Sequence, residues 1–192
     1  MDLVTLILAC SLYTDNAIPY AMIQTGTRNN PLVVTVDDDD TKTFKTIPAA
    51  VQYTQTQIAQ GKNLEIGLMQ ISSRWLPEIG AHASDLIRPC KNLVVATQIL
   101  EKLRLKCQSI VANNPNTDIQ SCVLSLYKNK NLQSGLPYAH QVIEYAKIHP
   151  FNELAEKARD PGMLAAMEKT NTKPVHSKQT LTENSHSEDY PS

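Results

Sequence analysis

The sequence predicts an α+β domain dominated by helix, with one small β-hairpin near its start and a polar tail. Three observations carry this reading. Apolar residues recur at helical spacing through the middle of the chain, most plainly Leu93, Ala96, Ile99, Leu100, Leu103 and Cys107. Such a stripe is what a helix buries against a core. One β-prone run, "LVVTV" at 32–36, is followed by four aspartates and then "TKTF", a strand, turn and return strand. From about Lys169 the chain becomes rich in Ser, Thr, Asn, Lys and Glu and nearly loses its large apolar residues. Such a segment cannot bury enough surface to offset the entropy of ordering. Residues 1–150 are therefore read as the folded domain. Residues 151–168 read as a short helical extension broken at Asp160-Pro161-Gly162, and 169–192 as a disordered tail.

In chain order, "MDLVTLILACSL" has an apolar run from Leu3 to Ala9 that invites a secretory-leader reading. Asp2 has the wrong sign for a basic leader start and the run is short, so the first buried helix of the domain is expected there. Thr14, Asp15 and Asn16 are candidate caps for a helix through Ile18, Met22 and Ile23, with Pro19 in its first turns. The four aspartates, Asp37 to Asp40, lack the glycine and distal glutamate of a calcium loop and read as a solvated turn. "IPAAVQYTQTQIAQGK" is helical, started by Pro48 and stopped by Gly61. "LEIGLMQISSRWL" reads as an apolar lead into a further helical segment. Helices are expected again in "DIQSCVLSLY", with Asp118 in the first turn, and in "PYAHQVIEYAKIH".

Composition limits function. A net charge of -1 and 5% aromatic residues argue against a general nucleic-acid binder. No run approaches the ~18 apolar residues of a membrane span. The four cysteines, Cys10, Cys90, Cys107 and Cys122, fit no zinc spacing. They are compatible with two disulfides in any of three connectivities, or with four buried thiols. No metal or cofactor is implied.

The most informative stretch is "GLMQIS", Gly67 to Ser72. As a cleft wall, it would use Gly67 for close backbone approach to a ligand and the Gln70 amide to hydrogen-bond a sugar's acetamido or hydroxyl groups. As plain structure, it is an apolar turn into a helix. The flanking motifs favour the first reading. "NLEIGLMQIS" resembles N-[FL]-[DE]-[VI]-G-L-x-Q-I-N, with Ser72 in the place of Asn. "RPCKNLVVATQIL" resembles D-P-C-x-N-L-x-x-x-x-x-I-L through Pro89, Cys90, Asn92, Leu93, Ile99 and Leu100. "CVLSLYKNKNLQSGLPYAHQVI" resembles A-L-S-x-Y-N-x-G-N-x-x-x-G-x-x-x-Y-x-x-x-V through Leu124, Ser125, Tyr127, Asn131, Gly135, Tyr138 and Val142. In this order, over about residues 8–145, they resemble the lytic transglycosylases of the lysozyme-like superfamily, and within them the VirB1-type proteins of type IV secretion and conjugation systems.

The resemblance implies a lysozyme-like domain with a small β-hairpin lobe and a cleft that binds peptidoglycan glycan strands. It implies a periplasmic location, work beside other secretion-apparatus proteins, and no cofactor. The family's catalytic acid lies in E-S-x-x-N-P. Here "GTRNNP" matches at Asn30 and Pro31, Thr27 replaces the Ser, and Gly26 stands at the acid; Cys10, sixteen residues earlier, supports that register. In this family one carboxyl group both protonates the leaving oxygen and activates the sugar's 6-hydroxyl. Its loss is therefore not covered by a second carboxylate, unlike in two-carboxylate glycosidases. The resemblance implies a lytic transglycosylase that remodels the wall for the apparatus, impaired because Gly26 stands at the acid; the alternative is a non-catalytic peptidoglycan-binding or assembly-scaffold protein, and, since Glu and Gly codons can differ by one base, an inactivated variant of an active enzyme is a third reading. The resemblance further implies that Tyr127 orients the acid and that Thr27, Gly67, Leu68, Met69, Gln70, Ser72 and the residue at Lys128 line the cleft. Lys128 replaces the family's Asn and Lys130 its Gly. Glu65 is expected in a salt bridge or cap rather than as a substitute acid. The disulfides implied are Cys10–Cys90 and Cys107–Cys122.

Overall fold

The computed structural model describes residues 2–37, 40–113 and 116–159. The chain begins with α1, Leu3–Cys10, capped by Asp2, whose carboxylate accepts the Thr5 N–H at 3.0 Å. Leu6, Ile7 and Cys10 turn inward. Helix α2, Ala17–Gly26, follows, its entry tied by the Ala17 N–H to the Asp15 carboxylate at 3.1 Å. Strands β1, Val33–Val36, and β2, Asp40–Thr43, form the expected hairpin, with Val33 opposite Thr43 and Val36 opposite Asp40. Thr46 caps α3, Ile47–Ala59, and Gly61 at φ 76° ends it.

The hairpin is only half of the sheet. Strands β3, Leu64–Ile66, and β4, Ile71–Ser72, arise from "LEIGLMQIS" and give an antiparallel sheet in the order β2-β1-β3-β4. β3 pairs with β1, Val34 lying opposite Ile66. Strands of three and two residues are too short for an alternation to stand out, and the partner of β3 is remote in sequence. Local pattern therefore missed them, because β structure is decided by its neighbours. The helical continuation expected here is short: a 3₁₀ turn, Ser73–Trp75, and a single turn α4, Leu76–Ile79.

The rest is helical. Helix α5, Pro89–Ala112, buries Leu93, Ala96, Ile99, Leu100, Leu103 and Cys107. Helix α6, Ile119–Asn129, is capped by Asp118 and packs between α5 and α7, Leu132–Ile148. Helix α8, Phe151–Arg159, lays Phe151 and Ala155 into the same core, and the Phe151 ring centre lies 5.9 Å from that of Tyr20 on α2. The first turns of the extension thus belong to the domain's core. The remainder of the extension and the tail expected to be disordered, 169–192, lie outside the described residues.

Two disulfides lock this arrangement. Cys10–Cys90 joins the end of α1 to the start of α5, and Cys107–Cys122 joins α5 to α6, with Cα separations of 5.4 and 5.9 Å. Among the described residues no helix is long and apolar enough to cross a membrane.

Candidate functional site

The site is organised by one buried asparagine. Asn92, in the first turns of α5, donates from its amide to the carbonyls of Ile66 at 2.9 Å and Leu86 at 2.7 Å. Its own oxygen accepts the Met69 N–H at 2.8 Å. With no exposed surface it satisfies three buried backbone groups at once, and so fixes the β3–β4 turn, residues 67–70, in place. Gly67 in that turn has φ 72°, and a Cβ there would lie 2.2 Å from the Leu86 carbonyl oxygen and 2.5 Å from the Asn92 amide nitrogen. Its missing side chain makes room for the protein interior. The close approach that the sequence suggested is real, but it is to the protein's own backbone and not to a ligand.

Two further bonds hold the turn from opposite sides. The Thr27 hydroxyl, just past α2, donates to the Leu68 carbonyl at 3.0 Å. The Tyr127 hydroxyl on α6 donates to the Met69 carbonyl at 3.0 Å. Burial, with the charge of Glu65 nearby, pushes the Tyr127 phenol well above its ordinary value. It is therefore a fixed neutral donor rather than a proton shuttle. Gln70 has φ 49° and directs its amide back into the fold. Its nitrogen donates to the Gly67 carbonyl and its oxygen accepts from the Thr35 hydroxyl, both at 2.9 Å. Both polar ends of Gln70 are thus engaged within the protein, although the side chain lines the cleft.

Above this floor lies a cleft of about 460 Å³. Met22, Thr25 and Gly26 of α2 form one wall, Thr35, Thr41 and Glu65 of the sheet another. Tyr127 and Lys128 of α6 with Pro137, Tyr138 and Gln141 of α7 form the third. Gly26 ends α2, and its φ lies outside the left-handed region. A Cβ built there meets only the Gln70 side chain, at 3.9 Å, an ordinary contact. Neither backbone geometry nor crowding requires glycine at this position.

Glu65 is the single carboxylate among the described residues lining the cleft, and its partner is a cation. The Lys128 ammonium forms a direct ion pair with it, the Glu65 side chain being 13% and the Lys128 side chain 29% exposed. The same ammonium lies 6.0 Å from the Tyr138 ring centre. Burial, with Glu65 close by, pushes the Tyr138 phenol above its ordinary value. The pair also borders a second, polar pocket of about 260 Å³ lined by Asn63, Leu64, Ser72, Arg74, Asn129 and Ser134.

The structure thus gathers Gly26, Met69, Gln70, Tyr127 and Lys128 on one cleft. Thr27 and Leu68 are buried behind it, Gly67 faces the interior, and Ser72 lies on the second pocket while capping the 3₁₀ turn. Lys130 points elsewhere: it lies 4.2 Å over the Trp75 ring and pairs with Glu78 at 2.7 Å. Sequence reasoning gave no role to Thr35 or to Asn92. A threonine inside "VVTV" and an asparagine on an otherwise apolar helix face were the available signals. Among the described residues no cluster of three His, Cys, Asp or Glu side chains could hold a metal ion. No family model, characterised protein or solved structure matches the chain.

Proposed function

We propose that this protein is a lysozyme-like, VirB1-type glycan binder that holds peptidoglycan strands in the periplasm at a type IV secretion or conjugation apparatus without cleaving them. The observation that carries the reading is Gly26, which sits on the cleft wall where the motif places an acid and supplies no proton. A carboxylic acid stays protonated near neutral pH when held in apolar surroundings. Glu65 is instead held by an ammonium, so no carboxylate among the described residues lining the cleft is set up for the acid's task. Positioned acid–base catalysis is worth roughly 10²–10⁴-fold, and its loss removes most turnover while leaving the shape that grips the ligand.

The test compares the chain as written with its Gly26→Glu form on purified sacculi, reading anhydro-muropeptides by mass spectrometry and binding by co-sedimentation. Expected are binding by both forms, and anhydro products from Gly26→Glu alone. Robust anhydro products from the chain as written would overturn the non-catalytic reading. Failure of both forms to sediment with sacculi would overturn the ligand.

A further inference from the structure

Lys102 and Lys106 stand one helical turn apart on α5, with Leu105 beside them 57% exposed. Like charges at that spacing repel, so the helix by itself does not ask for this pattern. A lone exposed leucine needs no explanation, but this one adjoins an apolar recess. The three side chains rim a groove of about 380 Å³, within the range of roughly 300–1,000 Å³ usual for ligand pockets. Buried Trp75, Leu103 and Leu126 form its apolar part, and Lys130 and Glu78 complete the lining. One carboxylate serves this rim. Glu78 pairs with Lys130 at 2.7 Å and with Lys102 at 3.3 Å, while Lys106 makes no ion pair among the described residues. The internal pairs therefore account for Glu78 but not for the surplus of ammonium groups. The Cys107–Cys122 link holds together the two helices that carry Leu103 and Leu126, so the groove is preformed and a ligand need not order it.

We infer that this groove docks an acidic, leucine-rich segment of a partner protein, its apolar side chains seated on Trp75, Leu103 and Leu126 and its carboxylates set against Lys102, Lys106 and Lys130. Shape and charge together select this occupant. The apolar part is recessed, so a flat anionic surface such as a bilayer meets the lysines and Leu105 but does not reach Trp75 or Leu103. A protein segment projects side chains far enough to fill the recess, and acidic flanks complement the rim. No residue of the groove lines the glycan-sized cleft or the polar pocket beside it. The Trp75 indole N–H donates to the Tyr127 carbonyl at 3.4 Å, behind the cleft. Docking here leaves the cleft open, and the inference does not rest on the glycan-binding reading.

Trp75 is the chain's one tryptophan, so its fluorescence reports directly on the groove. The probe is a synthetic helix-forming peptide without tryptophan, carrying leucines one helical turn apart among glutamates. One control replaces the glutamates by lysines, another the leucines by serines. The acidic peptide is expected to shift the Trp75 emission of the full chain and to bind about tenfold tighter than either control. Lys106→Glu is expected to weaken that binding about tenfold, the size of one charge-assisted contact, without lowering the thermal midpoint, since it removes a like-charge pair. Leu105→Gln, at an exposed position, is expected to weaken it likewise. Phosphatidylglycerol vesicles are expected to leave the emission unchanged. An emission shift with vesicles would overturn the protein partner in favour of a membrane. Equal binding of the three peptides, no binding of any, or a preference that survives Lys106→Glu would overturn the groove. Co-sedimentation with sacculi is expected to be the same with and without the acidic peptide, so failure of the glycan reading leaves the docking result standing.

Discussion

At the scale of single residues, the glycine that ends α2 and the glycine of the β3–β4 turn have opposite reasons to be there. Gly67 is demanded by a left-handed φ and by the Leu86 carbonyl where a Cβ would go. Gly67→Ala is expected to cost at least about 3 kcal/mol, seen as a fall in the midpoint of chemical unfolding. Gly26 is demanded by nothing in the fold. Gly26→Ala is expected to stabilise by about 0.5 kcal/mol, since the alanine restricts the unfolded chain and has space. The Gly26→Glu change behaves differently. Its carboxyl would sit at the C-terminal end of α2, where the helix dipole disfavours negative charge, inside a cleft that restricts water. It is therefore expected to titrate above the ordinary glutamate value of about 4.3, which carbon-detected NMR titration would read directly. The sequence motif located Gly26 without any geometry. It could not tell that the glycine is conformationally unnecessary, because φ and open space depend on where the β3–β4 turn is placed. Nor could it pair Lys128 with Glu65, which lie far apart in the chain and meet only when α6 packs beside the sheet.

At the scale of elements, the long helices were legible from local signals, the Pro48 start and Gly61 stop of α3 and the apolar stripe of α5. The second half of the sheet was not, since β3 and β4 exist by pairing with β1 and by the Asn92 bonds that hold the turn between them. Asn92→Ala is expected to leave three buried backbone groups unsatisfied, costing about 3 kcal/mol or more and loosening the cleft floor. Loss of amide-exchange protection at Met69 would report that loosening. Helix α6 depends on its cap in a pH-dependent way. Partial burial pushes the Asp118 carboxyl up, but the Ser121 hydrogen bonds outweigh it and hold the group below its ordinary range. The charged cap is thus fully in place above about pH 4 and is lost as acid carries the group through its lowered value. Asp118→Ala is expected to cost about 1 kcal/mol at neutral pH, and the gap between the variant and the parent is expected to narrow in thermal melts as acid protonates the carboxyl.

At the scale of the whole molecule, the covalent links divide the work. The link across a separation of 15 residues, Cys107–Cys122, fixes α6, which carries Tyr127 and Lys128, onto α5. The link across 80 residues, Cys10–Cys90, closes the chain around α2, the sheet and α3. Loop closure assigns these roughly 3 and 4.5 kcal/mol, a large share of a typical domain's stability. Cys107→Ser with Cys122→Ser is expected to lower the unfolding free energy by about 3 kcal/mol, and reduction of both links by more, measured by denaturant titration with and without reductant. The larger ring has a further consequence for proteolysis. A single cut anywhere between Cys10 and Cys90 adds one water and releases no fragment. The severed ends stay tethered across α1 and α5, so the nicked molecule would run as one band until a reductant parts it in two.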